Sequence, residues 1–203
     1  FDGAGGGTGM SPVPMMDEMS TPTVYLEAQV LKCAQLLKKK GKFVPDLLMA
    51  GGFIVETQIF KAIALSNFGD GPLVKAVLMG RSPLTATMKS SYFTQLAKEG
   101  RLARTFADRY GTTPDKFFIG ATQLKQEHGE RFKEIPWEAV GLYTYLYERI
   151  RVGLMQLLAG NRKWKLDLIN RNDLVALTER AAKVTGIPLV EDAEADAIER
   201  ILG

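Results

Sequence analysis

Between residues 43 and 84 the hydrophobic pattern changes period twice, and the changes predict a strand, a helix and a second strand. Residues 43–49 are mostly apolar, as a strand covered on both faces of a parallel sheet reads, and they run into Ala50, Gly51 and Gly52. Pro45 falls early enough for such a strand to tolerate it. Residues 56–66 then set Ile59, Phe60, Ile63 and Ala64 on one helical face, and Asn67, Gly69, Asp70, Gly71 and Pro72 supply a turn. The second strand, residues 73–79, ends at Gly80 and Arg81.

Helical periods flank this core. Thr21 and Pro22 mark a start, and Tyr25, Leu26, Val30, Leu31, Ala34 and Leu37 recur as a stripe until Gly41 stops it. After Ser82 and Pro83, a further helix carries Met88, Tyr92, Phe93 and Leu96 as far as Gly100. Residues 101–136 lose any persistent period and read as a long, partly helical excursion. Residues 137–159 regain one, with Val140, Tyr143, Leu146, Ile150, Leu154 and Leu157 on one side of a single amphipathic helix. Two more helices are expected near 172–185 and 193–202. The expected fold class is α/β: residues 1–100 form about three βα units of a TIM (β/α)8 barrel, and residues 101–203 form a mostly helical C-terminal extension packed on it.

Composition narrows the classes of function. A hydrophobic content of 46% with 24% charged residues suits a soluble globular chain, and a net charge of +3 is too small for a nucleic-acid surface. The run Lys38, Lys39, Lys40 closes a helix, where cations suit the macrodipole. Cys33 is the one cysteine, which excludes an internal disulfide and predicts a buried structural thiol. His128 is equally alone and reads as a solvated loop residue, so no metal site is expected. No apolar run reaches the 18 or so residues of a membrane span, and a cytoplasmic setting is expected.

The strand ends carry the candidate chemistry. Glycine there lacks the Cβ that would hold an anion away from backbone N–H groups, and two such turns side by side make a phosphate cup. Gly52 and Gly80 lie 28 residues apart, close to the roughly 30 residues of one βα unit, so neighbouring strands are expected. Arg81 adds a fork of charged donors. Either motif alone reads better as a tight turn or a surface cation; the two in register favour the cup. Upstream, Gly3 to Gly9 form a glycine-dense loop ahead of Ser11 and Pro12. It suits both a ligand-wrapping loop and a terminal tail, and having no element before it to serve, it predicts residues upstream of Phe1.

Asp2-Gly3-Ala4-Gly5-Gly6-Gly7-Thr8-Gly9, Ala50-Gly51-Gly52 and Met79-Gly80-Arg81, in this order and spacing, resemble the C-terminal half of the synthase domain in the FMN-binding glutamate synthase family. Val140 to Arg151, and Leu166 to Leu174 with its Leu-Ile-Asn-Arg segment, are similar to the stretch that closes that domain. The resemblance implies a fragment of an FMN-dependent barrel that reduces the imine of 2-oxoglutarate and ammonia to glutamate with a flavin hydride. It implies Gly51, Gly52, Gly80 and Arg81 at the FMN phosphate, and Gly7, Thr8 and Gly9 near the flavin and substrate. An electron donor and a glutaminase are the implied partners. No catalytic acid or base is assigned, and this fragment alone is expected to be inactive.

Residues 101–136 contain no cysteine, so the iron–sulfur cluster of larger members is not expected and the likeness is to the shorter, cluster-free ones. Two alternatives stay open. One is another FMN barrel, such as a 2-hydroxy-acid oxidase or an IMP-dehydrogenase-like enzyme, which uses the same glycine cup. The other is a catalytically silent helical interaction module, with Tyr143, Tyr145 and Tyr147 in a subunit contact.

Overall fold

The structure is a computed structural model and describes residues 1–6 and 11–203. The chain is mixed α/β. Its elements in order are α1 (Val13–Asp17), α2 (Thr23–Lys39), β1 (Leu47–Met49), α3 (Glu56–Leu65), β2 (Val74–Val77), α4 (Arg81–Lys98), α5 (Arg104–Tyr110), α6 (Pro114–Phe117), α7 (Gly120–His128), α8 (Trp137–Tyr143), a π-helical stretch (Thr144–Arg151), α9 (Val152–Gly160), α10 (Glu179–Thr185) and α11 (Val190–Leu202). Short 3-10 turns occur at Gly129–Glu134, Leu166–Leu168 and Arg171–Asp173.

Two compact units divide the chain: Phe1–Met79 with Leu157–Gly203, and Gly80–Gln156. The sequence reading divides at residue 100. Compactness instead gathers the last stretch with the strands, because side chains of Asn67 and Arg171 tie them together. Asn67 Nδ2 donates to Ile169 O at 2.8 Å and to Asp167 O at 3.2 Å, while its Oδ1 accepts from Gly69 N and Gly71 N. One buried amide thereby fixes the turn before β2 and anchors the C-terminal return. Arg171 donates to Leu65 O at 2.9 Å and to Thr185 O, and its guanidinium lies 4.7 Å from the Phe68 ring centroid.

In the first unit β1 and β2 are parallel, paired Leu47 with Val74 and Met49 with Val77, with an irregularity after Leu47. The opposite edge of β1 is also used. The Phe1 amino group donates to Leu48 O, Ala50 N donates to Phe1 O, Gly3 N donates to Ala50 O, and Asp2 bridges Ala50 in parallel. Alternate residues of a strand bond to opposite neighbours, so the first residues lie on one side of β1 and β2 on the other. Three parallel segments thus follow one another in space in chain order. On one side of them Leu31, Leu65 and Ile187 form a buried cluster with Leu47, Leu73 and Leu174 packed against it. Each side chain so buried is worth about 1.5–3 kcal/mol.

The strands are shorter than their hydrophobic runs. Phe43 is 84% exposed, and the ladder begins only where Leu47 N donates to Leu73 O. Cys33 is exposed, which corrects the expectation of a buried thiol: Leu31 and Ala34 face inward and Cys33 lies between them on the outer side of α2. His128 ends α7 as an exposed helical residue, where a loop was expected.

In the second unit α4 packs against α8. Ala121, Leu124 and Val140 are buried beneath Phe118, Phe132, Ile135, Trp137 and Tyr143. Phe93, Phe106, Phe117, Phe118 and Trp137 touch in series, with centroids 4.8–6.0 Å apart. The single long helix expected over 137–159 is interrupted by the π-helical stretch. Thr144 Oγ1 donates to Val140 O at 2.8 Å, the same carbonyl that accepts from the Thr144 backbone N–H. Such back-bonding loosens the regular ladder.

Candidate functional site

The turn leaving β1 is held by close backbone approach. Gly51 and Gly52 have φ of +125° and +75°, a conformation that side chains other than glycine's rarely adopt. A Cβ on Gly51 would stand 2.5 Å from Thr23 Oγ1 and 2.8 Å from Gly3 N. The Thr23 hydroxyl, on the first residue of α2, lies 2.8 Å from Gly51 O and 3.1 Å from Ala4 O, so one proton serves two carbonyls. Ala4 N also donates to Thr21 O at 2.7 Å. Three chain segments therefore meet at one point: the first residues, the start of α2 and the Gly51–Gly52 turn.

Beyond that turn α3 begins. Gln58 Oε1 accepts from Ile54 N at 2.7 Å and Val55 N at 3.1 Å, which caps its first turn. Beneath it lies a cavity of about 420 Å3 whose walls include Met49, Gly51, Phe53, Lys61 and Ile187. Glu27 also lines this cavity. It is 2% exposed, and its Oε1 has no hydrogen-bond partner among the described residues. Burial pushes its carboxyl up to about 8 from an ordinary 4.5, against the opposing pull of the Arg171 guanidinium. Two Arg171 donors go elsewhere, Nη1 to Leu65 O and Nη2 to Thr185 O, and among the described residues none reaches Glu27 Oε1.

Of the residues singled out in the sequence, Gly51 and Gly52 come together with Gly3, Gly5 and Thr23. Gly80 and Arg81 open the second unit: Gly80 precedes α4 at φ −99° and ψ −73°, and Arg81 is the first helical residue. Among the described residues, a Cβ on Gly80 would meet no heavy atom within 4 Å. Gly7, Thr8 and Gly9 lie outside the described residues.

Sequence reading missed Thr23, Glu27, Asn67 and Arg171. For Glu27 a signal was present: it precedes Leu31 and Ala34 by helical spacing, so a carboxylate sits on the buried stripe of α2. Among the described residues no cluster of His, Cys, Asp and Glu is arranged to hold a metal ion, and no helix is long and apolar enough to cross a membrane. Compared with protein-family models, curated proteins and solved structures, the chain matches none.

Proposed function

We propose that this chain forms the C-terminal βα units of an FMN-binding TIM barrel, in an oxidoreductase of the glutamate synthase type. In that reading the Gly51–Gly52 turn offers its backbone to the FMN phosphate; the resemblance assigns Gly80 and Arg81 to the phosphate as well, and these open the other compact unit. The substrate is 2-iminoglutarate, formed from 2-oxoglutarate and ammonia, and the product is glutamate. The cofactor supplies the hydride chemistry; this chain's own residues bind and orient it. Backbone N–H groups at a strand-to-helix turn offer donors to a phosphate dianion, and a guanidinium adds formal charge.

The observation that carries the reading is the order of the parallel segments. Phe1 to Gly3, β1 and β2 are neighbours in space as they are in sequence, the arrangement a singly wound barrel requires, and the glycine turn stands at the C-terminal end of the middle one. Ligands in such barrels bind at that end. Whether the cluster-free proteins of this type act on 2-iminoglutarate is decided by assay. The protein carrying this chain, purified from cells, is expected to show the visible bands of an oxidised flavin, bleached on anaerobic reduction. It is also expected to form glutamate from 2-oxoglutarate and ammonium when the flavin is reduced. A colourless protein that does not take up added FMN would defeat the reading, and flavin without glutamate formation would transfer it to a different barrel oxidoreductase.

A further inference from the structure

The cavity below the Gly51–Gly52 turn has a composition that calls for a particular ligand. Met49, Phe53, Ala62, Leu65 and Ile187 make its walls apolar, yet Glu27 is set into them with one oxygen lacking any hydrogen-bond partner among the described residues. A buried acceptor left unpaired costs about 1–3 kcal/mol, which a ligand donor recovers. The strongest donor for a carboxyl is a cation, since charge-assisted hydrogen bonds are roughly twice as strong as neutral ones. Arg171 is near enough to act through space, but its guanidinium is engaged by the carbonyls of Leu65 and Thr185. Among the described residues, the exposed Lys61 is the other charged group lining the cavity.

We propose that this cavity is a binding site for a small primary amine, its ammonium group on the Glu27 carboxyl and its alkyl body along Met49, Phe53 and Ile187. The volume of about 420 Å3 accommodates such a molecule, and the apolar walls give the alkyl part a reason to enter. In the free protein near pH 7 the Glu27 carboxyl is mostly protonated, because burial holds its pKa at about 8. Entry of R–NH3+ stabilises the carboxylate, so the carboxyl loses its proton to solvent as the ammonium–carboxylate pair forms. One cation binds and one proton leaves, and the net charge of the complex is unchanged.

The proposal is independent of flavin binding and survives the loss of FMN. It is tested by titrating the full chain with n-butylammonium at pH 7 by calorimetry, in two buffers of different ionisation enthalpy, with n-butanol and ammonium ion as comparisons. The expected result is binding at least tenfold tighter than either comparison, with release of nearly one proton per amine. Glu27→Gln, which keeps the size and removes the titration, is expected to abolish the preference for butylammonium over butanol. Equal binding of butanol and butylammonium, absence of proton release, or no binding of the amine would overturn the assignment, and so would a Glu27→Gln chain that keeps the preference. Should that variant fail to fold, the proton count and the alcohol comparison on the unaltered chain decide the matter.

Discussion

The turns after β1 and β2 look alike in sequence, a strand ending in glycine, and differ in what the glycine is for. At Gly51 the backbone is left-handed and crowded by Thr23 and Gly3, so the fold itself forbids a side chain. At Gly80 φ is negative and the space beyond the missing Cβ is open among the described residues. Glycine at the first turn is demanded by packing whether or not a ligand binds. Glycine at the second is not crowded by any described residue; it stands at the N-cap of α4, and under the proposed reading a bound phosphate would approach it. The two positions therefore separate stability from binding.

The largest effect is expected at the crowded turn. Gly51→Val combines a strained φ, worth about 1–3 kcal/mol, with overpacking against Thr23 and Gly3 of similar size. A loss of about 4 kcal/mol in urea unfolding is the expected result, and a loss below about 1 kcal/mol would break the contrast.

Beneath that turn, Glu27 makes stability depend on pH. Its folded pKa is raised, so the folded chain holds a proton that the unfolded chain has released between pH 4.5 and about 8. Stability is then greatest below pH 4.5 as far as this group is concerned, and falls as pH rises to about 8. At about 1.4 kcal/mol per pH unit, the ceiling on the fall is on the order of 5 kcal/mol. Glu27→Gln is expected to flatten the decline, measured as urea midpoints across that range. An unchanged slope would show that another group titrates.

The smallest effect on stability, and the sharpest on binding, belongs to the open turn. Gly80→Ala is expected to shift unfolding by less than about 0.5 kcal/mol, because the new methyl group meets no described residue. If FMN phosphate approaches this backbone, the same methyl weakens FMN at least tenfold, read from quenching of flavin fluorescence. Unaltered FMN affinity would remove Gly80 from the proposed cup.

Regular helices were the legible part of this chain. The stripes of α2, α3 and α4 foretell those elements to within a few residues, because 3.6-residue periodicity and the Gly41 and Gly100 stops are local properties. Strand ends were less legible: apolar character at Phe43 and Val44 says nothing about whether a partner strand extends that far. The π-helical stretch was hidden because Val140, Tyr143 and Ile150 keep helical spacing while hydrogen bonding changes beneath them. At the candidate site the glycine pair was visible by composition. The contributions of Thr23, Asn67 and Arg171 were not, since each depends on carbonyls far away in sequence.

That distance has a consequence for biosynthesis. Asn67 reaches a carbonyl 102 positions downstream, and the whole of Gly80–Gln156 is made in between. At about 5–20 residues per second, a ribosome needs on the order of 5 to 20 seconds to deliver that partner. During the wait the side-chain NH2 of Asn67 has only water or a chaperone to satisfy it, and Leu31 and Leu65 stay uncovered until Leu174 and Ile187 emerge.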